Sequence, residues 1–382
     1  MERMAIFNED HESFRTTVRR FCEERVAPNQ EAWADEHRVP PEIWREAGGL
    51  GLLCAWLPEE YGGTGTDIRF DLVVCEELAR IGATGPGFPL HSLIVAPYIA
   101  EFGGDALKQR LLPAMARGEK IGAIAMTEPG AGSDLAGIRT MAVPYGDGWR
   151  INGQKTFITN GHNADIIIVA CITDPGKGAH GISLIIVESG TPGFSRGRNL
   201  RKMGQHAQDT AELFFDDVIV PGDNLLGEAG KGFIYMMEGL PQERLVATLL
   251  CQGRAEAALA TTIAYTADRR AFGKRIIDFQ NTRFKLAEMQ AQIMAGRAFC
   301  DQLVMACLSK RLSAVDAAAG KLWHSEMLGR VVDECVQLHG GYGYMMEYPI
   351  TRAYVDARIE RIYGGTSEIM KEVIARDIVK HL

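Results

Sequence analysis

The chain has 382 residues, of which 46% are apolar and 24% charged, with a formal net charge of −8. That length gives a prior of about two to three domains, and the composition is that of an ordinary globular protein with room for a large core. The acidic balance and the lack of a long basic run argue against nucleic acid or an anionic membrane as the main partner.

The opening text, MERMAIFNEDHESF, has no apolar h-region and does not read as a signal peptide. No apolar run approaches the length of a membrane span. The eight cysteines are scattered and none forms a CxxC. They read as reduced, mostly buried thiols in a reducing compartment, the cytoplasm. Nine histidines without HxxxH or HExxH spacing predict no metal site.

The text changes character twice, which predicts three domains: a helical one over 1–120, a β domain over 121–225 and a helical bundle over 226–382. The first reads as helices with short Gly/Pro breaks. Within DLVVCEELARIG, Leu72, Cys75 and Leu78 share a face and Gly82 stops the helix. The middle block carries a hairpin signal at Asp147-Gly148 and runs rich in β-branched and aromatic residues. No long helices separate these runs, so an antiparallel barrel or sandwich is expected. After Gly230 the helical period returns. Leu286, Met289, Ile293, Gly296, Cys300, Leu303 and Cys307 alternate at steps of three and four, the seam of a four-helix-like bundle. The fold class is α+β.

Five stretches could carry chemistry. AMTEPGAGSDLAG (Ala125 to Gly137) offers backbone N–H groups with Thr127 and Ser133 in a tight polar loop. It is not a dinucleotide fingerprint, and a plain connector explains it as well. GQKTFITNG sets Phe157, Ile158 and Thr159 at a strand end, where an aromatic face and a hydroxyl suit a planar ring. A half-buried strand explains the same residues. DRRAFGKRIIDFQ concentrates four cations around Gly273, either a solvated helix end or a phosphate grip. QLHGGYGY holds one Gly-Gly pair. YGGTSEIM holds another, followed by Thr366 as N-cap of a last helix with an apolar face of Ile369, Met370, Val373 and Ile378. Such a helix start can receive an anion. Together the stretches suggest a large ligand with phosphates and a planar ring.

In order and spacing these motifs, from LPEEYGGTG (Leu57 to Gly65) to YGGTSEIMKEVIARDI, resemble the acyl-CoA dehydrogenase family over nearly the whole chain. The resemblance implies a helical domain, a middle β domain and a C-terminal four-helix bundle. It also implies bound FAD, an acyl-CoA substrate, a homotetramer, and electron transfer flavoprotein as acceptor in fatty acid β-oxidation. By matching position it assigns Thr127, Ser133, Phe157, Ile158 and Thr159 to the flavin. Arg269, Phe272, Gln280, Gln337, Leu338, Gly340 and Gly341 match positions that serve the FAD of a neighbouring subunit. Thr366 and Glu368 match positions at the FAD phosphates and adenosine. Ser133, Pro241, Arg244, Gly364 and Gly365 fall on the acyl-CoA side. Phe157 stands where many relatives have tryptophan, and His206 where Arg or Lys is usual; His206 is read as surface variation first.

One departure decides the chemistry. The family reaction takes a proton from Cα with a carboxylate while hydride leaves Cβ for flavin N5. In many members that carboxylate directly precedes the Gly-Thr of the last motif; here the position is Gly364. EGLPQERL offers Glu243; Pro241 is expected to occupy a first helical turn or a kink, setting Glu243 near a helix start. On the residues alone the leading reading of Glu243 is a dipole-favoured acid or a partner for Arg244. The long-chain and isovaleryl-type members have their glutamate at this matching position and a small residue at Gly364, so the resemblance implies Glu243 as base. An acyl-CoA oxidase, or a silent paralogue that binds FAD or acyl-CoA, are the competing readings.

Overall fold

The computed structural model describes residues 6–380. The N-terminal block is helical: α1 (Glu9–Phe21), α2 (Gln30–Glu36), α3 (Pro41–Gly49), α4 (Arg69–Arg80), α5 (Phe88–Leu90), α6 (Ala96–Phe102) and α7 (Asp105–Ala116). Asn8 starts α1 by accepting from the His11 N–H at 3.1 Å, and the His11 ring returns a bond to the Asn8 N–H. Leu72, Cys75 and Leu78 are buried along α4, and Gly82 ends the turn at φ +64.

Eight strands follow: β1 (Gly122–Ala125), β2 (Met141–Tyr145), β3 (Gly148–Thr159), β4 (Ile166–Ile172), β5 (Ile182–Glu188), β6 (Phe194–Asn199), β7 (Thr210–Pro221) and β8 (Leu225–Leu226). They form one sheet in the order β6-β7-β3-β2-β4-β5-β8, with β1 against β4. Pairing is antiparallel apart from β1–β4 and β2–β4, which are parallel and which the strand text did not announce. The β2–β3 hairpin loop is Gly146-Asp147, one residue earlier than expected. Gly146 supplies the positive φ (+59), while Gly148 already pairs with Tyr145.

The C-terminal block holds α8 (Gly232–Asp268), a small ribbon β9 (Arg270–Ala271) and β10 (Lys274–Arg275), α9 (Gln280–Leu308), α10 (Ala314–His339), α11 (Pro349–Ala357) and α12 (Ser367–Lys380). The α9 seam is buried from Leu286 to Leu303; Cys307 is half-buried. Thr366 caps α12, its hydroxyl accepting from the Ile369 N–H at 3.3 Å. Only Met370 of the expected α12 face is buried, and Ile378 is 60% exposed. Periodicity marks an apolar face but not whether the same chain covers it.

Helix α8 is the axis that positions the site. Leu245, Val246 and Leu249 pack with Leu72 and Cys75 of α4, while Cys251, Ala255 and Leu259 pack with α9 and α10. The same helix touches β5. All three blocks therefore meet along it.

Candidate active site

At that meeting lies a cavity of about 220 Å³. Leu90 and Ile94 come from the first block, Ile124 and Thr159 from the sheet, and Val246 and Leu250 from α8. Polar groups interrupt this mostly apolar lining, among them Glu243, Gln205, Gln208 and Arg254, and Gly364 borders it too.

Glu243 is the twelfth residue of α8, not near its start, because Pro241 sits inside the helix. Proline there lacks the N–H that would bond the carbonyl four residues back. The surface that half-buried Glu243 keeps borders the cavity. Burial pushes its carboxyl up to about 7, against the hydrogen bond from Tyr98 and the charge of Arg244, which pull it down. The Tyr98 hydroxyl donates to Glu243 Oε1 at 3.0 Å. Arg244 is buried with its Nε unbonded, and desolvation lowers its pKa. It is not on the cavity wall but beneath the glycine turn: a Cβ on Gly365 would lie 3.9 Å from its Nη2.

The glycines are required by conformation. Gly364 has φ +61 and Gly365 +95. A Cβ on Gly365 would strike Met370 at 2.6 Å, whereas one on Gly364 meets nothing within 4 Å. The buried Lys321 ammonium donates to the Gly365 carbonyl at 2.6 Å and fixes the turn. Just beyond it, at the α12 N-terminus, Ser367 Oγ is buried with no hydrogen-bond partner. Thr366 and exposed Glu368 flank it.

The loop after β1 is held against β3. The Thr127 carbonyl accepts from Thr156 N–H at 3.0 Å. Buried Glu128 pairs with buried Lys155 at 2.8 Å and also accepts from the N–H groups of Arg139 and Thr140. Burial opposes ionisation of Glu128, but Lys155 and Thr140 together hold its carboxyl below the usual range. Ser133 lies exposed on the outer part of this loop. At a register shift in β3, Phe157 adopts φ +59 and leaves its ring 67% exposed. Thr159 reaches the cavity, but Ile158 turns into the sheet core and can offer only its backbone.

The remaining predicted positions form a second group. Arg269 stacks over the Tyr342 ring at 5.4 Å, beside the turn of Gly340 and Gly341. Phe272 is 95% exposed at φ +51. Gln280 and Gln337 are exposed, whereas Leu338 packs into the bundle core. From Glu243 to Arg269 runs most of α8, about 39 Å at 1.5 Å per residue. Within one chain this group does not reach the cavity.

Several residues escaped the sequence reading: Thr84, Gln205, Gln208, Arg254 and Tyr363 on the cavity lining, and Tyr98, Lys321, Ser367 and Lys155 behind it. Nothing in their local text distinguishes them from ordinary helix or strand residues. His206 bonds the Lys202 carbonyl at 3.1 Å and lines a neighbouring cleft, not the cavity itself. No group of three His, Cys, Asp or Glu among the described residues is arranged for a metal ion.

Comparison with known proteins adds a lineage to this geometry. Three family models match in sequence: acyl-CoA dehydrogenase, N-terminal domain (residues 8–119), middle domain (123–218) and C-terminal domain (230–379). The long-chain specific acyl-CoA dehydrogenase of Sus scrofa is 50% identical over 376 residues, 98% of this chain and 87% of that protein. The isovaleryl-CoA dehydrogenase of Oryza sativa is 35% identical over 98% of this chain and 92% of its own. The crystal structure of an acyl-CoA dehydrogenase from Geobacillus kaustophilus superposes with a TM-score of 0.96 at 49% identity, covering 98% and 99% of the two chains.

Proposed function

The chain belongs to the acyl-CoA dehydrogenase family, whose members are flavoproteins, and on that premise we propose that Glu243 removes the Cα proton of an acyl-CoA thioester as it is oxidised to the trans-2-enoyl-CoA. The observation that carries the assignment is Glu243 on the wall of a mostly apolar cavity that Gly364 also lines.

The base is tuned by its surroundings. A carboxyl near 7 is close to working pH, where a general base is both deprotonated and basic enough to act. Tyr98 fixes its orientation through Oε1, leaving Oε2 for the substrate proton. An acyl chain filling the cavity excludes water and strengthens this electrostatics. The N–H of Gly364 or Gly365, freed by the left-handed backbone, is the donor for the thioester oxygen as it gains enolate charge.

The residues fit FAD. Phe157 presents a ring face on a strained bulge, with the Thr127 and Thr159 hydroxyls as polar neighbours. The orphaned Ser367 hydroxyl, with Thr366 and Glu368 at the α12 N-terminus, suits the phosphate and adenosine end. Bound FAD supplies the two-electron acceptor for the hydrogen that leaves Cβ. Arg269, Phe272, Gln280, Gln337, Gly340 and Gly341, grouped beyond the far end of α8, would serve the cofactor of a second copy. That reading accounts for the exposed Phe272 and Ile378 and extends to a homotetramer. Ser133 would meet the acyl-CoA from the loop. Electron transfer flavoprotein as acceptor and a role in β-oxidation follow the family resemblance. A cytoplasmic setting is in keeping with eight free thiols.

The test is anaerobic addition of acyl-CoA thioesters to the flavin-loaded protein. Bleaching of the flavin band is expected; no bleaching with any chain length would leave a silent binder. Hydrogen peroxide released at the turnover rate under air would identify an oxidase instead.

A further inference from the structure

One face of α8 lines two cavities. Glu243, Val246, Ala247 and Leu250 line the cavity described above; Ala257, Ala258 and Thr261 line a second, of about 280 Å³. Arg254 borders both. Steps of three and four keep these positions on one side of the helix, so the second cavity continues the line of the first and Arg254 stands between them. The second is lined largely by apolar groups, among them Ile81, Leu328, Ile350 and Ala353.

Arg254 is fastened in place. Its Nη1 pairs with Oε1 of Glu360, which is fully buried. The Tyr363 hydroxyl donates to the same oxygen at 2.6 Å, and the Cys251 thiol to Oε2 at 3.4 Å. Thr84, which also borders both cavities, donates to Asp356 at 3.2 Å. The partition is thus polar, charged and tied at several points, in a passage that is otherwise mostly apolar.

Its position along the helix gives it a consequence. Arg254 follows Glu243 by eleven residues, about 16 Å of helix. Side chains lean toward the helix N-terminus, so that of Arg254 reaches back toward Leu250 and shortens the free run. We infer that the Arg254–Glu360 pair, with Thr84 and Asp356, closes the far end of the acyl cavity and sets the longest tail the enzyme accepts. The inference rests on the reading of this cavity as the acyl site. A longer tail must press its methyl against a buried ion pair or separate it, and a buried charge stripped of its partner is strongly unfavourable. Without the partition, the tail would pass into the second cavity.

The experiment compares kcat/KM for butyryl-, octanoyl- and palmitoyl-CoA in the flavin-loaded protein and in two variants. R254A removes the barrier; R254A/E360Q also removes the carboxylate that R254A would strand. In the wild-type protein kcat/KM is expected to fall sharply from octanoyl to palmitoyl. In the variants the palmitoyl-to-octanoyl ratio is expected to rise by about tenfold or more, the discrimination a few methylenes carry in an apolar pocket. A general loss of stability would lower all three rates and leave that ratio unmoved. Equal wild-type values for octanoyl and palmitoyl, or an unchanged ratio in a folded variant, would overturn the inference. No turnover of any thioester by the wild-type protein would instead overturn the reading of the site beneath it.

Discussion

The Tyr98 hydroxyl, from α6, donates a 3.0 Å hydrogen bond to the Glu243 carboxylate on α8. The bond favours the ionised acid, while burial favours the neutral one and sets the carboxyl near 7. Tyr98→Phe removes the favourable part alone. The acid limb of the kcat/KM profile should then move up by about one pH unit. Activity would fall severalfold at pH 6 and approach wild type above pH 8. A full pH profile of both proteins checks this; an unmoved limb would mean that the bond does not tune the base.

The same raised carboxyl makes a statement about stability. Its folded pKa lies above the ordinary glutamate value of 4.5, so between 4.5 and about 7 the folded state holds the proton that the unfolded state has released. Stability from this group therefore declines as pH rises through that window, and the loss is complete above it. Glu243→Gln should stabilise the protein at pH 8 by on the order of 3 kcal/mol and make little difference at pH 4.5. Urea unfolding at the two pH values gives the comparison; a gain equal at both would assign the effect to something other than ionisation.

Gly364 has room for a side chain but a backbone that resists one. A Cβ there meets nothing within 4 Å, and φ is +61. The double variant Glu243→Gly/Gly364→Glu moves the carboxylate from α8 to the glycine turn at a backbone cost of about 1–2 kcal/mol. Its turnover should exceed that of Glu243→Gly alone. Equal rates for the two would show that the carboxyl on the glycine turn cannot reach the Cα proton.

How much of this was legible in the sequence depends on how local the signal is. The α9 seam and the Thr366 cap were readable because a helix repeats its buried face every three or four residues and announces its start with one side chain. Pro241 misled about the helix start: read as a first turn or a kink, it lies inside α8, so Glu243 is not near a helix start. Ile158 shared a strand with Phe157 and Thr159, but a bulge between Lys155 and Ile158 sent it into the core. Tyr98 was out of reach: its partner is 145 residues away, and only packing brings them together. Ile378 looked buried by period and is exposed in the single chain. Glu243 itself needed the family resemblance, because on the residues alone Arg244 and a helix dipole are the leading explanation of an acidic residue there.

The Glu128–Lys155 pair fastens the loop of Thr127 and Ser133 to β3. Lys155→Met strands a buried carboxylate, which should cost about 3–5 kcal/mol of stability and loosen the flavin side of the site. Thermal unfolding and flavin retained after gel filtration report the two effects. Unchanged values for both would show that the loop is held by its backbone bonds alone.

The central claim is that Glu243 is the base, and single-turnover flavin reduction of Glu243→Gln tests it most directly. The variant keeps the shape of the side chain and the Tyr98 contact but cannot take a proton. With FAD bound and acyl-CoA added without oxygen, the account predicts a spectral perturbation from binding and a reduction rate lower by about three orders of magnitude or more. Reduction at near wild-type rate would contradict it and place the base elsewhere.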